Sequence, residues 1–280
     1  MPTVEVMNTS VDAQAISRPV LPLIAEGPLK AHVLSVHERT CNLMTDEGHI
    51  IALVTPSIGP GPFHVLLSRE IAWPQWVSRR SSAWLTSDTV EIGAMHIALE
   101  GARVWDPIPD WPLDLSPDPL CSRVIAPLLL SVPVGDRLSR LIRHRIELGL
   151  ERLVQGLQSA AEEVVRQGVN ILIGLGPGLT PAGDDVLLGA IAALQAQNAD
   201  AERELLFPQV ARMLTHTTEL SALWLEHALQ GHFAQSWHDL ARAWGEHDLA
   251  RMQQAARRIL HTGATSGFYA LLGFYRTLNR

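Results

Sequence analysis

Along the first part of the chain the apolar positions come in short, often alternating runs: Ala31 to Val36, His49 to Thr55, Phe63 to Leu67, Val90 to Ile92 and Met95 to Val104. A period of two marks strands with one buried face. Turn-forming stretches separate the runs, notably Asp46-Glu47-Gly48 and Ile58-Gly59-Pro60-Gly61-Pro62. The pattern predicts a small antiparallel sheet or barrel, with a short helix over Ile71 to Trp84 lying across it. From Asp136 onward the period becomes helical, with an apolar stripe of Leu138, Leu141, Ile142, Ile146, Leu150, Leu153, Leu157 and Ala160. The opposite face carries Arg137, Arg140, Arg143, Arg145, Glu151 and Arg152. Its simplest reading is a solvated face, with anion binding as the alternative. Between the two patterns stand Pro107, Pro109, Pro112, Pro117, Pro119 and Pro127, too many for a regular element. The expected fold is therefore α+β, a β-rich N-terminal sheet or small barrel followed by a mainly helical C-terminal part. Its expected divisions are a loose leader over 1–18, the β-rich part over 19–115 and the helical part over 116–280.

Within the helical part, Gly174 to Gly189 reads Gly-Leu-Gly-Pro-Gly-Leu-Thr-Pro-Ala-Gly-Asp-Asp-Val-Leu-Leu-Gly. The apolar run Val169 to Ile173 enters this glycine-rich loop, and a helix from Pro181 to about Gln197 leaves it. Thr180 has the hydroxyl of a helix cap, and Pro181 suits the first helical position. With glycine at 174, 176 and 178, backbone amides and the positive end of the helix dipole can approach an anion, a phosphate or a carboxylate. Gly176, Gly178, Leu179 and Gly183 are the candidate anion contacts. Asp184 and Asp185 would repel a bare anion, a conflict that a divalent cation relieves; Mg²⁺ commonly takes one or two carboxylates plus substrate oxygens. Consecutive helical residues point about 100° apart, so the two aspartates divide any such work. Asp185 shares a face with Gly189, where there is room for a ligand or another backbone. The alternative is that both acids merely favour the helix dipole. The stretch lacks the Gly-Lys-Ser/Thr ending of a Walker loop and the later acid of a dinucleotide fingerprint.

Thr265-Ser266-Gly267-Phe268-Tyr269-Ala270-Leu271-Leu272-Gly273 echoes the segment Thr180 to Gly189 with one residue fewer, suggesting two helix N-termini that face one site, the alternative being coincidence in a Gly/Leu-rich helical domain. Thr265, Ser266 and Gly267 join the candidate contacts on that ground. Thr215-His216-Thr217-Thr218 either lines a polar site or caps the helix that follows. In the β-rich part, Gly61 and the loop Ser57 to Pro62 either reach a ligand or simply turn the chain. His64, just beyond, is a histidine to watch, though a strand histidine is more often satisfied within its fold.

At 280 residues the chain has ample core, and its formal charge of −7 without a basic cluster argues against nucleic acid as the main partner. Cys41 and Cys121 stand far apart in no metal-ligand spacing, which points to a reducing compartment. The N-terminus has no basic start followed by an apolar core, and no apolar run reaches the ~20 residues of a membrane span. The expected location is cytoplasmic, with no membrane partner.

Three stretches resemble a bacterial family that includes the third subunit of an oxamate carbamoyltransferase from allantoin catabolism. They are Asn42-Leu43-Met44-Thr45 through Gly59-Pro60-Gly61-Pro62, then Gly176 to Pro181 with Asp184-Asp185, and finally Gly263 with Thr265-Ser266-Gly267 and Leu271-Leu272-Gly273. Where the family tends to have Gly-His-Thr-Ser-Gly-x-Asp, this chain has Ala264 for the histidine and Tyr269 for the aspartate. The resemblance implies a reaction of oxalurate and phosphate giving oxamate and carbamoyl phosphate, with Mg²⁺ and two partner subunits. On their places in the glycine-rich motif, and not by carry-over from the family, Asp184, Asp185 and Thr180 are the expected catalytic residues, with the two aspartates on the metal. The alternatives are a non-catalytic ligand-binding subunit of a complex and a metal-assisted hydrolase.

Overall fold

The structure, a computed structural model, describes residues 9–112, 119–131 and 137–280, with the backbone alone at residues 9, 119–122, 137 and 138. It divides into two compact units, residues 1–107 and 108–280. Both expected patterns are present, β-rich first and helical second, with the division falling near the start of the proline-rich stretch.

The first unit is a closed barrel of eight strands: β1 (Thr9–Ser17), β2 (Leu29–Val36), β3 (Thr40–Thr45), β4 (Ile50–Val54), β5 (His64–Leu67), β6 (Ser82–Leu85), β7 (Thr89–Ile92) and β8 (Met95–Ala98). Their order is β5-β4-β3-β2-β6-β7-β8-β1, and antiparallel pairing of β1 with β5 closes the ring. The short β9 (Arg103–Trp105) extends the sheet by parallel pairing with the second half of β1. Two pairings inside the ring, β4 with β5 and β1 with β8, are also parallel, so the sheet is mixed. The alternation does what a barrel requires. Along β6 and β8, Ala83, Leu85, Met95 and Ile97 are buried while their neighbours face outward.

Two expectations for this unit are corrected. Residues 9–17 belong to no loose leader: Val11, Ala13 and Ala15 are buried in alternation with exposed Asp12 and Gln14, and the strand they form closes the barrel. Residues 1–8 lie outside the described residues. Nor does Ile71 to Trp84 form a helix. It holds one 3₁₀ turn at Trp73–Gln75 and then enters β6. Pro74 removes an amide that a helix would need, and Arg80 sits at φ +69°, outside the helical region.

The loop over 55–62 is tied at its base and packed at its tip. Ser57 donates its amide and hydroxyl to the two oxygens of Glu70, at 2.6 and 3.0 Å. Gly61 rests on the His64 ring, where an added Cβ would stand 2.5 Å from Cε1. His64 is buried, with Nδ1 3.2 Å from the Gly59 carbonyl, and burial pushes its pKa down to about 4 against the opposing effect of that bond. Packing on a neutral histidine accounts for the glycine.

The second unit consists of α2 (Pro119–Leu130), α3 (Arg137–Gln158), α4 (Glu162–Leu172), α5 (Ala182–Ala196), α6 (Asp200–Met213), α7 (Glu219–Leu229), α8 (Gln235–Gly245), α9 (Leu249–Leu260) and α10 (Ser266–Leu278), the five-residue α1 (Leu21–Ala25) having preceded them in the barrel. At its centre α5 packs on α3, α4, α6, α7 and α10, and nearly all of its side chains are buried. That burial explains why the α5 sequence is apolar all round, a pattern of interior helices. Of the stripe on α3, Ile146, Leu150, Leu153 and Leu157 are buried, whereas Leu141 is exposed. Among the described residues no helix is long and apolar enough to cross a membrane.

Candidate functional site

The chain between α4 and α5 folds back on the start of the helix it introduces. Gly174, Gly176 and Gly178 have φ of +66°, +121° and +103°, values that side chains disfavour. The Leu175 carbonyl accepts the Gly183 amide at 2.9 Å, and the Gly174 amide reaches Oδ1 of Asp184 at 2.7 Å. The helix begins at Ala182 with Pro181 in the cap position, so Thr180 does not cap it. Proline offers no side-chain acceptor. The loop carbonyl of Leu175 does that work instead, which releases Thr180 for another partner: its hydroxyl lies 2.8 Å from the Ser266 hydroxyl at the start of α10. The two N-terminal turns that echo each other in sequence are thus joined in space.

Asp184 and Asp185 divide sharply. Asp184 is buried, and its oxygens accept from the Gly174 amide, the Thr217 hydroxyl and the Ser221 hydroxyl, the last at 2.8 Å. Burial raises its pKa while these three bonds oppose the rise. It ties the glycine loop to α7. The hydroxyl run at 215–218 contributes twice more, since Thr218 caps α7 through the Ser221 amide at 3.1 Å and also donates to the Leu179 carbonyl. Both readings of that run are therefore present together.

Asp185 is 7% exposed, and its Oδ2 is buried without a hydrogen-bond partner. Burial pushes its pKa well above the ordinary carboxylate value, a hydrogen bond from Ser266 opposes the shift, and the charge of Asp184 adds to it. Tyr269, also buried, feels Asp185 and the guanidinium of Arg143, which lies 5.0 Å over the Phe268 ring. The group that converges is therefore Thr180, Ser266 and Asp185, with Tyr269 and Arg143 beside it. Sequence periodicity had placed Arg143 on a solvated face, and Ser221 carried no signal at all.

A magnesium ion held by both aspartates does not fit this donor set. Asp184 already accepts three protein donors, two on Oδ2 and one on Oδ1, and so is committed to holding the glycine loop. Among the described residues no group of three or more His, Cys, Asp or Glu side chains is placed to hold a metal. An ion here would draw most of its six ligands from water and substrate oxygens.

The remaining candidates sort by what their missing side chains make room for. An added Cβ on Gly183 would stand 1.9 Å from the Leu172 carbonyl, and one on Gly267 would stand 1.7 Å from that of Ile259. Further along the two helices, Gly189 faces the Ala270 carbonyl and Gly273 faces that of Val186. At Gly189 the space is filled by the backbone of α10. Gly176 sits close over Ala182, whereas Gly178 has open space around it and, with Leu179, is exposed at the rim. Thr265 is exposed and makes no capping bond. Gly61 belongs to the other unit.

Residues 172–278 match the family described as oxamate carbamoyltransferase subunit AllH, and residues 9–104 match the N-terminal domain of the AllH family. The chain belongs to the AllH family. Its two matched segments follow the two units of the structure, and the second contains every converging residue except Arg143. Membership makes it a member of a carbamoyltransferase subunit family, for which other subunits are the expected partners. No solved structure matches the chain.

Proposed function

We propose that this AllH-family chain carries a substrate site of an oxamate carbamoyltransferase at the junction of α5 and α10, acting on oxalurate and phosphate together with two partner subunits. In that reaction a phosphate oxygen attacks the carbamoyl carbon, the bond to the oxamate nitrogen breaks, and the proton shed by the phosphate hydroxyl goes to that nitrogen. Such a reaction needs neutral donors for a developing oxyanion and exclusion of water from carbamoyl phosphate. The observation that carries the reading is the 2.8 Å contact between Thr180 and Ser266 beside the buried Asp185 carboxyl. It brings two helix N-termini to one place. The open backbone at Gly178 adds amides that a phosphate can approach.

The test is carbamoyl phosphate formation from oxalurate and phosphate by the purified chain, alone and then with its candidate partner subunits. Turnover should require the partners, and Thr180→Val and Ser266→Ala should each lower kcat/KM by about 10-fold or more while leaving assembly intact. If both variants keep full activity, the site lies elsewhere in the complex. The competing reading is a binding subunit without chemistry, favoured by Ala264 and Tyr269 in the last motif. It predicts that both variants weaken ligand binding to this chain and leave kcat unchanged.

A further inference from the structure

The conflict between an anion seat and two acids is removed at Asp184, whose oxygens are consumed by Gly174, Thr217 and Ser221. It is not removed at Asp185. There a carboxyl side chain is nine-tenths buried, hydrogen-bonded to Ser266, and left with an oxygen that has no partner. A buried acceptor without a donor is destabilising and calls for an explanation. A ligand that brings the donor supplies one.

We infer that Asp185 is a specificity-determining residue of this site, its free Oδ2 accepting an N–H from the amide nitrogen that oxamate carries as –NH₂, so that the site selects –CO–NH₂ over –COO⁻. The inference rests on the carbamoyltransferase reading for the choice of ligand. A metal ion shared by the two aspartates is disfavoured because Asp184 is committed to three protein donors. A cation in general would need a charged carboxylate, and burial next to Asp184 opposes that charge. A neutral N–H asks only for a lone pair. The carboxyl oxygen keeps one in either protonation state, provided that any proton sits on the oxygen facing Ser266. A ligand carboxylate in the same place would set two acceptors against each other, with no donor between them.

Oxamate and oxalate test this, because they are nearly isosteric and differ by one –NH₂ in place of an oxygen. Titration calorimetry of the full chain should find oxamate bound roughly 10-fold or more tightly than oxalate, as expected of a site built to meet an N–H. Asp185→Asn, which offers both a donor and an acceptor at the same point, should bring the two ligands to within about 3-fold of each other. Asp185→Ala should lose oxamate, with circular dichroism confirming that both variants fold. A merely structural Asp185 would shift both affinities together and leave their ratio alone. A wild-type chain that binds the two equally or binds neither, or an Asp185→Asn variant with the wild-type ratio, overturns the inference. The turnover assay separates the two ideas: an altered ratio in a chain whose assembled complex makes no carbamoyl phosphate refutes the proposed reaction alone, and full turnover with an unaltered ratio refutes the role of Asp185 alone.

Discussion

Asp184 and Asp185 are chemically identical and adjacent, yet they stand in opposite relations to the protein around them. One is surrounded by donors. The other is buried against a deficit of them. The difference predicts opposite results for the same kind of truncation. Asp184→Ala strands the Gly174 amide and the Thr217 and Ser221 hydroxyls, each worth about 1 kcal/mol or more when left unpaired in a buried place. The variant should lose about 3 kcal/mol in urea unfolding, and the glycine loop should become more protease-sensitive because, of its ties to the start of α7, only that from Thr218 to the Leu179 carbonyl is left. Asp185→Ala removes only one bonded oxygen and should cost much less. Equal losses would mean that Asp184 does not organise the loop. Cys41 shows the same local control in the barrel: burial pushes its thiol up to about 12, so it is a poor nucleophile and belongs to the core.

At the scale of elements, the close approach of α5 and α10 is made by hydrogen atoms where other helices carry side chains. Gly189→Ala would press a methyl group into the Ala270 carbonyl, which is backbone and cannot move aside. We expect a loss of about 2–3 kcal/mol. Gly178→Ala meets no atom, and its cost should stay near 1 kcal/mol, from the left-handed backbone alone. Thermal unfolding of the two variants should rank them in that order; the reverse order would mean that the helices part to admit the methyl group. The glycines were visible in the sequence, but a glycine that admits a ligand and one that admits a carbonyl look alike until the neighbouring helix is placed. The partners of Asp184 lie at Thr217 and Ser221, and no spacing rule reaches that far. Elsewhere the signal was present and faint. Val11, Ala13 and Ala15 alternate as a strand should, but alanine has little strand propensity, and closure depends on pairing with distant Leu66 and Leu67. Helix α4 buries Val165, Val169 and Leu172 at helical spacing, yet its end reads as a short apolar run entering the glycine loop.

At the scale of the whole molecule, the two units should answer acid in opposite directions, because the barrel buries a base, His64, and the helical unit buries acids, Asp184 and Asp185. In the barrel, His64 has its pKa lowered from 6.5 to about 4. The folded barrel thus binds fewer protons than the unfolded chain, and the stability that a neutral His64 allows is full above pH 6.5 and lost as pH falls toward 4. The slope approaches about 1.4 kcal/mol per pH unit for one proton. In the helical unit, Asp185 has its pKa raised well above 3.8, chiefly by burial. The folded unit binds more protons there, so its stability is greatest below about 4 and declines as pH rises through the folded pKa. Glu163 and Glu202, held low by hydrogen bonds from Arg166 and Arg280, lose their contributions only as pH falls below 4.5. Between pH 7 and pH 5, calorimetry should therefore show one unfolding transition moving down in temperature and another moving up or holding. His64→Gln should abolish the first movement. Asp185→Asn should raise the second transition at pH 7 and weaken its pH dependence, leaving the part that belongs to Asp184, so that the gain over wild type closes as pH approaches 4. If both transitions fall together and neither variant separates them, these two buried groups do not govern the response of the molecule to acid. If Asp185→Asn does stabilise the chain while abolishing its preference for oxamate, the unpaired carboxyl is a cost that the fold carries for recognition.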